Sequence, residues 1–228
     1  MKEDQVIQSL LNKQVDGVIY MSNRLSDEAA DAFKRTDTPV VLAGTKDNRD
    51  DFASVTIDYK KADTEALNLM YHDGKKHLGI VVGDQDAVVN SENRIPAYEE
   101  FMEENDLGTP RIYTDIKDYS DGYNLYPQLV KDGVDGVIVT RDISSVGILN
   151  SAMDAGKKVP EDLEIVTASA TQLASVVRPA LTTIKQPLYD MGAVAMRMLT
   201  KLMNNEEVDD THIVLPYELV KKQSTLNQ

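Results

Sequence analysis

The sequence predicts an α/β fold of two similar halves, each a parallel β-sheet with helices on both faces. Three observations carry this. Short continuous apolar runs such as Val40-Val41-Leu42 and Ile80-Val81-Val82 have the character of strands buried on both sides. Amphipathic segments of helical period separate these runs, as in repeated βαβ units. Finally, Lys13-Gln14-Val15-Asp16-Gly17-Val18-Ile19-Tyr20 returns 119 residues later as Asp132-Gly133-Val134-Asp135-Gly136-Val137-Ile138-Val139, with five identities. Each copy follows an amphipathic helix and precedes a polar loop and another helix. The Asp-Gly pair reads as turn chemistry before a buried strand. Residues 15–20 and 134–139 are therefore expected to be equivalent interior strands of separate sheets. A crevice between two such halves is a usual place for a ligand.

The elements follow in order. Val6, Ile7, Leu10 and Leu11 fall at helical spacing, and residues 15–21 continue as a strand. Ser26 or Asp27 caps a helix to about Arg35; residues 39–43 and 54–57 are strands. A helix from Asp58 to about His72 stops at Asp73-Gly74, and residues 78–82 are a strand. Ile95, Tyr98, Phe101 and Met102 mark an amphipathic helix with Pro96 in its first turn. Asp121 is expected to cap a helix through about Val130, with Pro127 as an irregularity. Residues 134–140 and 163–167 are strands around a helix at 144–155 closed by Gly156. A long helix covers 188–203, and 212–215 is a late strand.

Composition removes several function classes. Without cysteine there are no disulfides, thiolate zinc sites or cysteine nucleophiles. No apolar run approaches the roughly 18 to 20 residues a membrane helix needs. The formal charge is −14, from 38 acidic and 24 basic residues, and Lys and Arg cluster no further than pairs such as Lys60-Lys61. A module that neutralises DNA phosphates needs the opposite balance, so these residues are not expected to bind DNA. Nucleophile elbows, Walker loops, dinucleotide glycine fingerprints and HExxH motifs are absent, and Gly74-Lys75-Lys76 reads as a helix stop. His72, His77 and His212 have no ligand spacing, and the Asp47–Asp51 run lacks the alternation of a calcium loop. Neither catalysis, a metal nor a cofactor is expected.

Several stretches together resemble the lactose-repressor/galactose-repressor family of transcription regulators. They include Ser54-Val55-Thr56-Ile57-Asp58-Tyr59, Gly74-Lys75-Lys76-His77-Leu78-Gly79-Ile80-Val81, and Arg94 followed at four residues by Tyr98. Val159-Pro160-Glu161-Asp162-Leu163-Glu164-Ile165-Val166 and Arg178-Pro179-Ala180-Leu181-Thr182-Thr183-Ile184-Lys185-Gln186-Pro187 are the clearest. Residues 189–201, with Gln223-Ser224-Thr225, point within that family to the catabolite-control regulators of low-GC Gram-positive bacteria. A solute-binding protein of a sugar transporter, which shares the fold, is the competing reading.

The resemblance implies two Rossmann-like subdomains of the periplasmic-binding-protein-like type I fold. The first would comprise residues 1–57 plus 185–215, and the second 58–184 plus 216–228. It also implies a cytoplasmic regulator, homodimeric at full length, that contacts DNA through an N-terminal helix-turn-helix. In the family that element, a hinge and a further strand-helix-strand precede the helix that here starts near Gln5. On this comparison roughly a hundred residues have no counterpart here, leaving the first subdomain incomplete at its N-terminal side with an open sheet edge.

For small-molecule effectors the resemblance points to Arg94, Arg141, Asp142 and Ser169. Sugar-responsive relatives carry Asp where Ser169 stands and Asn where Arg141 stands, and Gly44 replaces an Asp used by some. Losing these paired hydrogen-bonding groups weakens a neutral-sugar site. The two arginines suit an anion such as a phosphorylated sugar, or are surface or salt-bridged residues. Read from the sequence alone, Asp142 is a helix N-cap before it is a ligand contact.

The helix at 188–203 is legible without the family. At about 100° per residue, Asp190, Arg197 and Lys201 fall within about 40° of one another. Leu188, Met191, Ala195, Met198, Leu199 and Leu202 form the face expected to pack down. On periodicity alone the charged stripe is a solvated face. The resemblance instead makes Arg197 and Lys201 the grip on the phosphoserine of serine-phosphorylated HPr, with Asp190 meeting a basic residue of HPr and Tyr189 flanking as an aromatic contact.

Overall fold

The structure, a computed structural model, describes residues 3–22, 25–47 and 49–226. The chain order begins α1 (Glu3–Asn12), β1 (Val18–Tyr20), α2 (Asp27–Thr36), β2 (Val40–Ala43), β3 (Ala53–Ile57) and α3 (Tyr59–His72). It continues with β4 (Leu78–Val81), α4 (Ile95–Glu104), β5 (Ile112–Tyr113), α5 (Tyr119–Lys131), β6 (Gly136–Val139) and α6 (Asp142–Asp154). Then come β7 (Glu164–Thr167), α7 (Leu173–Val176), β8 (Thr182–Lys185), α8 (Leu188–Met203), β9 (His212–Leu215) and β10 (Glu218–Val220). A π-helical turn over Asn90–Arg94 leads into α4.

Two compact units result, residues 1–58 with 187–216 and residues 59–186 with 217–228. The first holds a parallel sheet in the order β1-β2-β3-β9. Val18, Tyr20, Val40 and Leu42 join Ile7 of α1 and Phe33 of α2 in one core. Because side chains alternate across a strand, Val41 and Ala43 face the other way, where α8 packs. The second unit holds six strands in the order β10-β8-β7-β6-β4-β5, all pairs parallel except β10 with β8. One core cluster of this unit packs β6, β7, α5 and α6 around Leu129, Val137, Ile148 and Ile165.

The two echo strands do lie in separate sheets, but they are not equivalent in position. β6 is interior, whereas β1 forms an edge of its sheet. The echo nevertheless extends into backbone detail. Gln14 and Gly133 both take left-handed φ, 54° and 70°, just after α1 and α5. Gly17 and Gly136 are not the turn residues. A Cβ on Gly17 would lie 2.8 Å from Leu199 Cδ1 and 3.1 Å from Met203 Sδ, and one on Gly136 would lie 2.8 Å from Leu78 Cδ2 and 3.2 Å from Met70 Sδ. Each glycine leaves room for a leucine and a methionine to pack directly on the strand entry. In the first unit that packing seats α8.

Three local expectations need correction. Asp118, not Asp121, caps α5; its side chain accepts from the Asp121 amide at 2.9 Å, and Asp121 returns the bond as the third residue of a capping box. Leu188, assigned to the packed face of α8, is 57% exposed. The parallel pattern is broken by β10, a three-residue strand that runs back along β8 after Pro216.

The end of the chain is strapped to β7 and β8. The buried Ser224 hydroxyl donates to the Ile165 carbonyl at 2.5 Å and accepts the Thr182 amide at 2.8 Å; Thr225 meets Thr182 at 2.8 Å. Glu164, fully buried, accepts the Leu226 amide at 2.7 Å. Burial pushes this carboxyl up to about 8; Asp73 adds to the shift, while the Leu226 amide and Lys75 oppose it. A carboxyl raised in the folded state favours folding below its unfolded pKa, and that contribution fades as pH climbs from about 4.5 to about 8. Glu164→Gln should remove this slope. Relative to the variant, the wild type should lose on the order of 2 to 5 kcal/mol between pH 4.5 and 8.5. Urea midpoints of both proteins across that range, where all other titrations cancel in the difference, are the check.

Candidate functional site

Helix α8 is specified locally at both ends. Pro187 precedes it, and Ala, Leu, Met, Arg and Lys dominate its interior. Asn205 closes it in a left-handed conformation (φ 55°), with the Glu206 amide donating to the Lys201 carbonyl at 2.9 Å. Met191, Ala195, Met198 and Leu199 are buried against the sheet. The opposite face carries Tyr189, Ala193, Met196, Arg197 and Thr200, all exposed, with Tyr189 at 87%. Asp190 lies in the first turn and Lys201 in the last, where each also complements the helix dipole.

The two cations differ in what already holds them. Among the described residues, Arg197 has neither an ion-pair nor a hydrogen-bond partner. Lys201 is drawn to the loop after the helix, its Nζ 3.4 Å from the Glu207 carbonyl and 3.8 Å from Asp209 Oδ2. Residues one turn apart on the same face have Cβ atoms roughly 5–6 Å apart, within reach of one anion. The face therefore combines an aromatic ring, a thioether and paired cations, which suits a protein bearing a phosphate or clustered carboxylates.

The effector residues fall in the second unit. Asp142 opens α6 but does not cap it; Arg141 occupies the cap position. Buried Asp142 instead accepts the Thr167 hydroxyl and the Thr171 amide, both at 2.5 Å, so its two oxygens tie α6 to the end of β7. Ser169 is half-buried and donates to the Thr140 carbonyl at 2.7 Å, linking the ends of β6 and β7. Arg141 is exposed and lies across Gly83 at the end of β4, where a Cβ would come within 2.7 Å of its Nε. Arg141, Asp142 and Ser169 thus gather where the parallel strands end, the usual ligand side of such a sheet.

Arg94 is engaged elsewhere. Only 4% exposed, it donates to Asp63 of α3 at 2.6 Å and lies 5.1 Å from the centre of the Tyr59 ring. Burial raises the Asp63 carboxyl, against the lowering by the Arg94 charge and hydrogen bond. Four residues on, Tyr98 donates to the Leu78 carbonyl at 2.9 Å and accepts the Arg111 amide at 2.8 Å, bolting α4 to the β4–β5 edge. The Arg94/Tyr98 spacing is therefore that of two inward anchors. Asp63 was not anticipated as the partner of Arg94. Its signal was present, because Asp63, Ala66, Leu67 and Met70 form one buried stripe with a lone carboxylate in it.

Two α/β units joined by crossed chain connectivity, each built on a largely parallel sheet, have the periplasmic-binding-protein-like fold. The sequence profile described as "Periplasmic binding protein-like domain" matches residues 67–225. HTH-type transcriptional regulator pepR1 of Lactobacillus delbrueckii subsp. lactis is 72% identical over 228 residues, 100% of this chain and 68% of that protein. Catabolite control protein A of Streptococcus mutans serotype c is 39% identical over 98% of this chain and 68% of its own length. The crystal structure of transcription regulator CcpA of Lactococcus lactis matches with a TM-score of 0.92 at 36% identity, covering 98% of this chain and 83% of that one. The chain belongs to the lactose-repressor/galactose-repressor (LacI/GalR) family of transcriptional regulators, which are effector- and DNA-binding proteins rather than enzymes.

It spans about two thirds of the length of these curated relatives. Identity to pepR1 is nearly twice that to the catabolite control protein. The expected special closeness to catabolite control protein A thus reduces to membership among related regulators. The transporter reading yields to the family assignment.

Proposed function

We propose that this chain is the sensing core of a cytoplasmic, homodimeric regulator of carbon catabolism, and that α8 docks serine-phosphorylated HPr. The observation that carries the reading is Arg197, exposed, without a partner among the described residues, and one turn from Lys201. Tyr189 and Asp190 stand on the same exposed side and complete the contact surface. Among the described residues no helix is long and apolar enough to cross a membrane. DNA contact is assigned to a helix-turn-helix of the full-length protein, in keeping with the relative HTH-type transcriptional regulator pepR1. A phosphorylated sugar is the auxiliary effector, with the exposed Arg141 at the strand ends and Ser169, whose hydroxyl proton is engaged by the Thr140 carbonyl, beside it. Arg94 and Asp142 act there by holding neighbouring structure, since their charged groups are already engaged.

A phosphoserine carries about −1.5 to −2 charges at neutral pH, enough to engage both cations. Each charge-assisted hydrogen bond contributes about 1.5 to 3 kcal/mol. Arg197→Ala should therefore weaken binding of phosphorylated HPr roughly ten- to a hundredfold. Lys201→Ala should do less, since the guanidinium fork grips two oxygens and the lysine is partly occupied. Calorimetric titration of the three proteins is the test. An unchanged affinity for Arg197→Ala would return the stripe to a solvated face.

A further inference from the structure

Lys201 already has an anionic neighbour. Helix α8 ends at Met203, the chain turns at Asn205, and Asp209 comes back to within 3.8 Å of the Lys201 ammonium while the Glu207 carbonyl stands 3.4 Å from it. The Asp209 side chain is 89% exposed, and among the described residues its only recorded partner is Lys201. Its neighbour Asp210 differs, because it accepts the His212 amide at 3.0 Å and is built into the start of β9. Asp209 is therefore a carboxylate that nothing else holds in place, set on the cation nearest the end of the docking helix. For Lys201 to join Arg197 on one phosphate, it must leave Asp209.

We infer that Asp209 is a built-in competitor for Lys201, which raises the concentration of phosphorylated partner at which the α8 surface fills. The inference rests on the docking reading above and adds a regulatory residue to it. A phosphate with nearly two charges displaces a single exposed carboxylate, so the contact does not block binding. It subtracts the worth of an exposed ion pair, which corresponds to about two- to fivefold in affinity. A partner without the phosphate makes no demand on Lys201 and is unaffected. Substituting Asp209 thus shifts the response to the phosphorylated form alone.

The experiment is a titration of the full chain and its variants with serine-phosphorylated and unphosphorylated HPr at low ionic strength, where exposed charges are least screened. Asp209→Asn is expected to tighten the phosphorylated form about two- to fivefold and leave the unphosphorylated form unchanged. In a Lys201→Met background, Asp209→Asn is expected to have no effect. Weaker binding by Asp209→Asn would mean that the carboxylate meets a cation of the partner, and would overturn the inference. Persistence of the tightening without Lys201 would also overturn it, since the effect would then be general repulsion. Should Arg197→Ala leave the phosphorylated form unaffected, the docking reading itself fails. Sensitivity to Arg197→Ala with indifference to Asp209→Asn retains the docking and removes only the competitor.

Discussion

Asp63→Ala should destabilise the protein by about 3 to 5 kcal/mol, the cost of leaving a buried charge without its partner. Asp63 is fully buried in the middle of α3, and Arg94, which donates to it at 2.6 Å, is 4% exposed. Taking both charges out of water is expensive, and their attraction offsets that cost only while both are present. Removing the carboxylate leaves a guanidinium that cannot lose its proton and has little access to solvent. Replacing the pair together, as Asp63→Leu with Arg94→Met, should recover most of the loss, because apolar side chains of similar volume need no compensation. Urea unfolding of the single and double variants distinguishes these cases. A loss under 1 kcal/mol for Asp63→Ala would show that Arg94 finds water or another acceptor, and so is freer than its burial implies.

A second large effect is expected where α5 crosses α6. A Cβ on Gly147 would lie 2.2 Å from the Tyr119 carbonyl oxygen and 2.7 Å from the Tyr123 amide nitrogen. Gly122 faces the same restriction, 2.2 Å from the Ser144 carbonyl oxygen. The obstruction is backbone on both sides, so no side chain can swing away and the helices must separate. Overpacking of this kind costs about 1 to 3 kcal/mol, and the gain in helix propensity offsets part of it. Gly147→Ala should destabilise by about 2 kcal/mol, with its unfolding transition remaining cooperative. Gly192 of α8 is the control, since a Cβ there meets nothing within 4 Å. Gly192→Ala should stabilise by about 0.5 to 1 kcal/mol. Equal effects at the two positions would contradict the account of the α5–α6 crossing.

Much of the fold was legible because its strands are continuous apolar runs and its helices strongly periodic. The limits of α8 were read from sequence as they stand in the structure. What failed has physical causes. Periodicity assigns Leu188 to the packed face but does not say that this first residue of the helix stays exposed while Met191, one turn on, is buried. The Asp118-x-x-Asp121 spacing holds the capping box, and either Asp can be read as the cap until the backbone shows which amide each accepts. The short strands β5 and β10 carry too few apolar residues to stand out, and pairing rather than propensity makes them. In the candidate site, sequence located Arg197 and Lys201 on one face. The attachment of Lys201 to Asp209 depends on a loop path that no local pattern specifies. Arg94 was legible as an anion contact or a salt-bridged residue, but its partner Asp63, 31 residues away, was not specified by any local pattern.

The most direct test of the central claim, that α8 reads a phosphoserine on its partner, is the ratio of two dissociation constants. Serine-phosphorylated and unphosphorylated HPr are titrated into the same preparation of the chain, at the same ionic strength. Two charge-assisted contacts made only by the phosphate predict at least a hundredfold preference for the phosphorylated form. That preference should fall to within a few-fold when Arg197 and Lys201 are both replaced by Ala. Equal affinities of the wild-type chain for the two forms would contradict the account.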